Sequence, residues 1–386
     1  MASALTLDWL SRLLAFDTTS RNSNLALVAA VEAFFFARGV TFERVDNVPE
    51  GKASLIATIG PRDGAGIILS GHTDTVPVEG QDWTVPPFAM TERDGRLYGR
   101  GACDMKGFLA VCLGLVPQMQ ARRLAKPIHL TLSYDEEVGC LGVRPLLAHM
   151  IAAGYRAEGC IVGEPTSMQV VVAHKAKHAL EASITGRGGH SSRSPELANA
   201  VEAAALLSAR IVDLADRLAR EGRRDPLYDI PHSTAHVGVI AGGSAVNIVP
   251  EHARVEWEVR ALPEDDIDAL VAEVEAYARD VLEPRLKARA PESAIKIARM
   301  SSIPGLATAA DAPITTLAKR WAGRNDHAKV AYGTEAGLFD GLAGIPTVVC
   351  GPGSIAQAHQ PDEYVELSQI DACEAFVQRV IDHCAA

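Results

Sequence analysis

Two histidines and five carboxylates of this 386-residue sequence fall in short segments whose residue types could do metal chemistry. His72 and Asp74 stand two apart in SGHTDTVP, and Asp104 lies in GRGACDMKG. Glu136 and Glu137 are adjacent in YDEEVG, Glu164 is in VGEP, and His359 is in QAHQPDEY. Imidazole and carboxylate both ligate zinc-like ions, and one carboxylate can bridge two ions through its two oxygens. Asp104 suits the bridge, because small residues and glycine around it let the backbone approach closely. Of the adjacent pair on an extended segment, one glutamate can ligate while the other takes a proton from water, the division that metal-assisted hydrolysis needs. On a strand, Asp74 would share a face with His72 and fix its tautomer from behind. Singly these residues mean little. A strand-end histidine is often structural, Asp104 could cap the helix after it, and a Glu-Glu pair is usually a solvated turn.

What raises them above coincidence is the set of elements that must position them. The first half alternates apolar runs (SLIATIG, GIILSGH, HLTLSYDEE, GCIVGEP) with helical stretches, among them a helix over 24–38 that closes at Gly39. That alternation predicts an α/β domain with a mostly parallel central sheet, and such sheets bind ligands beyond the carboxyl ends of their strands. All the polar segments fall at those ends. From about 179 the pattern changes to β-α-β-β-α-β, a ferredoxin-like order. It includes a long helix from Pro195 and a strand in which Val255, Trp257 and Val259 alternate with charged residues. The expected organisation is therefore a discontinuous domain, 1–178 with 305–386, interrupted by an inserted α+β domain at 179–304.

Composition narrows the classes. A net charge of −11 argues against nucleic acid or an anionic membrane surface as partner. No apolar run reaches the length of a membrane span, and the start lacks a signal-peptide pattern, so a cytoplasmic location is expected. Seven cysteines, an odd number without a C-x-x-C pair, suit reduced thiols. No P-loop, G-x-S-x-G elbow or H-E-x-x-H helix occurs.

The segments SGHTDTVP, GRGACDMKG, DEEVGCLG, VGEPT, GRGGHSS, AVNIVP and AHQPDEY, in this order, resemble the metal-dependent aminoacylase/carboxypeptidase family of di-zinc hydrolases. The resemblance covers nearly the whole chain. It implies His72 and Glu164 on one metal, Glu137 and His359 on the other, Asp104 bridging, Glu136 as general acid/base and Asp74 orienting His72. The peptide bond after Asp104 is expected to be cis. The inserted domain would serve dimerisation and act as a lid. From it His190 would polarise the scissile carbonyl, with Asn247 and Arg260 binding substrate, although periodicity alone would make Arg260 a surface residue paired with Glu258. Gly333 and Glu335 fall in the expected substrate loop, YGTEAGLF, where Glu335 could read the ammonium of ornithine or simply cap a helix. The segments AFDTTSRNSNLALV and YGTEAGLFDGLAGIPTVVCGPG point to the branch that removes the acetyl group from N2-acetyl-L-ornithine in arginine biosynthesis. Acetylcitrulline or a succinylated diamino acid would use the same chemistry. The implied cofactors are two divalent ions, Zn2+ with Co2+ able to substitute, and the implied assembly is a homodimer. The rivals from other classes are a catalytically dead binding protein, disfavoured by the intact Glu136, and a dimer whose metals only staple the fold.

Overall fold

The computed structural model describes residues 2–386. Two helices, α1 (Ala4–Leu14) and α2 (Leu25–Ala37), precede strands β1 (Thr41–Asn47), β2 (Lys52–Ile59) and β3 (Gly66–His72). Helix α3 (Lys106–Gly114) leads to β4 (Ile128–Ser133), and α4 (Val143–Ala152) to β5 (Ala157–Pro165) and β6 (Val171–His174). A second run consists of β7 (Ala176–Thr185), α5 (Ala200–Glu221), β8 (Thr234–Gly242), β9 (His252–Ala261), α6 (Ile267–Tyr277) and β10 (Ala294–Ile303). The chain ends with β11 (Leu306–Ala307), α7 (Pro313–Ala322), β12 (Ala328–Val330), α8 (Ala336–Ala343), β13 (Thr347–Gly351) and α9 (Leu367–Cys384).

Contacts divide these residues into two compact units. One runs up to Ala173 and resumes at Leu306–Lys329 and Thr334–Ala386; the other is His174–Gly305 with Val330–Gly333. The change of unit thus comes at His174 rather than at 179.

The first unit is built on a nine-stranded sheet of order β1-β2-β4-β3-β5-β13-β6-β11, with β12 paired to β6. Its centre, β4-β3-β5-β13, is parallel. The pairs β1–β2, β2–β4 and β13–β6 are antiparallel, so the sheet is mixed, and the expected parallel character belongs to its middle. Every residue of β2 and β3 is buried, which is why these strands read as continuous apolar runs instead of alternating ones. Helix α3 lies unusually close to the sheet. A Cβ on Gly163 of β5 would stand 2.0 Å from Phe108 Cγ, and one on Gly71 of β3 would stand 2.7 Å from Met105 Cε. Only glycine admits that approach.

The second unit is a four-stranded antiparallel sheet of order β8-β9-β7-β10, the ferredoxin-like arrangement its element order implied. Val255, Trp257 and Val259 of β9 face a core shared with Leu207, Ile211 and Leu214 of α5 and with Val271 and Val274 of α6. Helix α5 begins at Ala200, not at Pro195. Asn199 caps it by accepting from the Val201 and Glu202 amides, while Pro195 lies in a preceding 3-10 turn, Ser191–Glu196. All seven cysteines are buried and unbridged. Among the described residues no helix is long and apolar enough to cross a membrane.

Candidate metal centre

The parallel register of the central strands brings three of the polar segments to one end of the sheet. His72 pairs with Ser133 across β3–β4, and Glu164 lies at the end of β5. Asp104 arrives from the loop before α3, and the bond after it, Asp104–Met105, is cis as the resemblance implied. His72 Nε2 stands 3.1 Å from Asp104 Oδ1 and 3.7 Å from Glu164 Oε1. The other Asp104 oxygen is 3.3 Å from His359 Nε2, which in turn is 3.0 Å from Glu137 Oε2. Asp104 therefore stands between two groups of donors, His72 with Glu164 and His359 with Glu137.

The adjacent glutamates serve different groups. Glu136 joins His72 and Glu164 within ligand distance of one another, while Glu137 joins His72 and Asp104. They diverge on a turn, not on an extended segment: the Gly139 and Cys140 amides both donate to the Glu136 carbonyl at 2.9 Å. Asp74 also departs from the strand picture, because β3 ends at His72. His72 Nδ1 is 3.0 Å from the Asp74 main-chain carbonyl and 3.4 Å from its carboxylate. The carboxylate instead accepts from the Glu136 amide at 3.1 Å, the Glu137 amide at 3.3 Å and Ser20 Oγ at 2.8 Å. Asp74 thus meets His72 with both its carbonyl and its carboxylate, and its side chain also holds the amides of the glutamate turn.

The electrostatics are those of acids crowded out of water. Burial first, then Glu137, Asp104 and Asp74 around it, pushes Glu136 up to about 8. Burial and Asp104 raise Glu137 to about 7, and burial raises Glu164 well above the carboxylate range. Burial opposes the ionised form of Asp104 too, but hydrogen bonds from His359 and His72 hold it low. Hydrogen bonds to Asp104 and Glu137 raise His359 to about 10. A cluster of this kind fits divalent cations, which neutralise several carboxylates at once. One more observation favours them: Glu164 Oε1 is buried with no hydrogen-bond partner, so it is a lone-pair donor left for a ligand.

The remaining candidates lie elsewhere. His190 and Asn247 meet at a short two-stranded antiparallel ribbon of the second unit, where Gly189–His190 pairs with Ile248–Val249 and the Ser191 amide donates to the Asn247 carbonyl at 3.0 Å. Arg260 donates to Glu258 at 2.8 Å, the pairing that periodicity favoured. Gly333 belongs to the second unit as well. Glu335 is not a substrate-loop acid. It is fully buried at the start of α8, and its oxygens accept from Ser70 Oγ of β3 and, at 2.7 Å, from Ser133 Oγ of β4. Both oxygens face serines inside the fold, and the side chain is not exposed as the loop reading expected.

A model of peptidase family M20/M25/M40 matches residues 68–383. The chain belongs to this family. An acetylornithine deacetylase of Photorhabdus laumondii is 34% identical over 371 residues, covering 96% of this chain and 93% of the relative. A Staphylococcus aureus tripeptidase structure superposes with a TM-score of 0.77 at 20% identity, covering 100% of this chain and 99% of that one. A Bacillus subtilis dinuclear metal-binding M20 peptidase gives a TM-score of 0.67 at 17% identity, with 98% and 97% covered. This M20 chain is a metal-dependent hydrolase. Several residues that support its centre escaped the sequence reading. Lys52 donates to Asp135 at 2.6 Å beneath the glutamate turn. Cys140 Sγ lies 3.4 Å from Glu136 Oε1. Arg100 and Glu363 form a buried pair at 2.7 Å. For Cys140, Arg100, Asp135 and Glu363 the only signal in the sequence was their place inside or beside the ligand segments, and Lys52, on β2, carried none.

Proposed function

We propose that this chain hydrolyses N2-acetyl-L-ornithine to L-ornithine and acetate, a step of arginine biosynthesis. The observation that carries the reading is the pair of donor groups flanking Asp104, with Glu136 beside them in a hydrolase chain 34% identical to a named acetylornithine deacetylase. His72 and Glu164 would hold one divalent ion, Glu137 and His359 the other, with Asp104 shared; zinc is the proposed metal and cobalt a substitute. When bound, such ions polarise the acyl carbonyl and make water more acidic. Glu136 takes the proton of the attacking water and returns it to the leaving amine. Asp74 keeps the glutamate turn and His72 in register. From the second unit, His190 would donate to the developing oxyanion, Arg260 would fork onto the substrate α-carboxylate, and Asn247 and Gly333 would contact substrate. We also propose a cytoplasmic homodimer.

The test is release of L-ornithine from N2-acetyl-L-ornithine by zinc-loaded protein, with Glu136→Ala in parallel. Loss of the general acid/base is expected to lower kcat by about 10²–10⁴-fold. A metallated wild-type chain that leaves acetylornithine intact but turns over acetylcitrulline or a succinylated diamino acid would overturn the substrate and leave the hydrolase.

A further inference from the structure

Glu363 and Arg100 are each 1% exposed at the side chain, and neither is a metal-ligand candidate. Glu363 Oε1 accepts from two consecutive amides, Cys103 at 2.9 Å and Asp104 at 3.0 Å. Its Oε2 accepts from Arg100 Nη1 at 2.7 Å. The same guanidinium lies 3.4 Å from the Gln360 carbonyl and 3.4 Å from the Pro77 carbonyl, and 5.0 Å over the Trp83 ring. It also donates to Gln81 Oε1, while Gln81 Nε2 donates at 2.9 Å to the carbonyl of His359. Three loops that are remote in sequence, 77–83, 99–104 and 359–363, therefore close on one cation. Two of them carry Asp104 and His359. His359 itself sits at φ +62°, a left-handed conformation uncommon for a residue with a Cβ, and the tie at its own carbonyl helps to hold it there.

A buried ion pair is a poor device for stability, because desolvating both charges offsets most of their attraction. It is a good device for fixing geometry. We propose that Arg100 and Glu363 are positioning residues that set the spacing between Asp104 and His359, and so govern occupancy of the metal position that His359 completes. This rests on the two-ion reading above. The positions are unequal in their support. His72 and Glu164 stand on the ends of β3 and β5, held by the sheet itself, whereas His359 stands on a loop held by the clamp. Loosening the clamp should therefore weaken the ion at His359 most, since the other depends on the clamp only through the shared Asp104.

The experiment is a zinc titration followed calorimetrically on the full chain, with zinc content measured after dialysis. It compares wild type, Glu363→Gln, the charge-free pair Arg100→Met/Glu363→Gln, and His359→Ala as the reference for losing that position. Glutamine keeps an acceptor for the two amides while removing the charge opposite Arg100. Gln81→Ala, which cuts the tie to His359 together with one acceptor for Arg100 but leaves the Arg100–Glu363 pair in place, covers the case in which the charge variants fail to fold. Wild type is expected to hold two ions. The variants should keep one near wild-type affinity and bind the second about 10–100-fold more weakly, a smaller loss at the same position than that expected of His359→Ala. Circular dichroism of the metal-free proteins should show the fold unchanged. Two ions at wild-type affinity in the folded variants would overturn the clamp alone, and so would equal weakening of both. A wild-type chain that binds fewer than two would overturn the metal reading and this inference with it.

Discussion

Glu335 shows how a single side chain can mislead when its neighbours in space are unknown. In YGTEAGLF it reads as a loop acid, yet it bridges serines on two adjacent strands just short of His72 and Glu136. Glu335→Gln is expected to lower turnover of acetylornithine and of a neutral N-acetyl amino acid by the same factor. It should also destabilise the chain by about 1–3 kcal/mol, since an amide cannot accept from both hydroxyls. Parallel kinetics on the two substrates and a urea titration check this, and a loss confined to acetylornithine would return Glu335 to substrate recognition. The residues expected to bind metal could be singled out because so many imidazoles and carboxylates fall together near predicted strand ends, although each alone has commoner uses. The roles of Glu335, Lys52, Arg100 and Glu363 were not legible. A buried charge is recognised by its partner, and each of these partners is distant in sequence or lies in a segment that composition cannot place.

The turn after β4 is where an element does the most for the site. Asp135, at φ +55°, precedes Glu136 directly and is pinned by Lys52 of β2, which also donates to the Ser20 carbonyl. Both side chains are under a tenth exposed, so Asp135→Ala should strand a buried ammonium and cost about 3–5 kcal/mol. The double change Lys52→Met/Asp135→Ala should recover much of that stability without restoring full kcat, because the turn loses its anchor either way. Denaturant midpoints and kcat on the same proteins separate the two effects; a single variant as stable as wild type would dismiss the pair as an anchor. At this scale the order of elements was readable from apolar runs and turn residues. The antiparallel pairing of β2 with β4 was not, since strands buried on both faces look alike whichever way they run. The start of α5 was misplaced because proline is as welcome in a 3-10 turn as in a first helical turn, and Asn199 supplied the actual cap.

For the molecule as a whole, removing metal should matter to the fold as well as to catalysis. Ions that bind only the native state stabilise it by mass action, about 2.7 kcal/mol when free metal exceeds Kd a hundredfold. Chelation is therefore expected to lower the calorimetric melting temperature reversibly, with zinc restoring it; equal melting with and without metal would count against a centre that ties β3, β5 and the later loops together. The ferredoxin-like unit leaves β8 as an edge strand, with Ile240 and the nearby Val246 and Ile248 exposed. Sedimentation should give twice the chain mass, and a monomer at micromolar concentration would remove the proposed dimer. The position of β13 also has a meaning for synthesis. This strand is not at the rim of the sheet but between β5 and β6, paired with a partner made long before it. From Pro165 to Gly351 a ribosome must add 186 residues, which at about 5–20 residues per second takes roughly 10–40 s. Throughout that interval the nascent sheet has a gap at its middle, with β5 and its apolar run CIV open to pairing with another chain. The ferredoxin-like sequence emerges during the same wait. His359, the last of the proposed metal ligands, and the strand that closes the sheet therefore leave the ribosome within a few residues of each other.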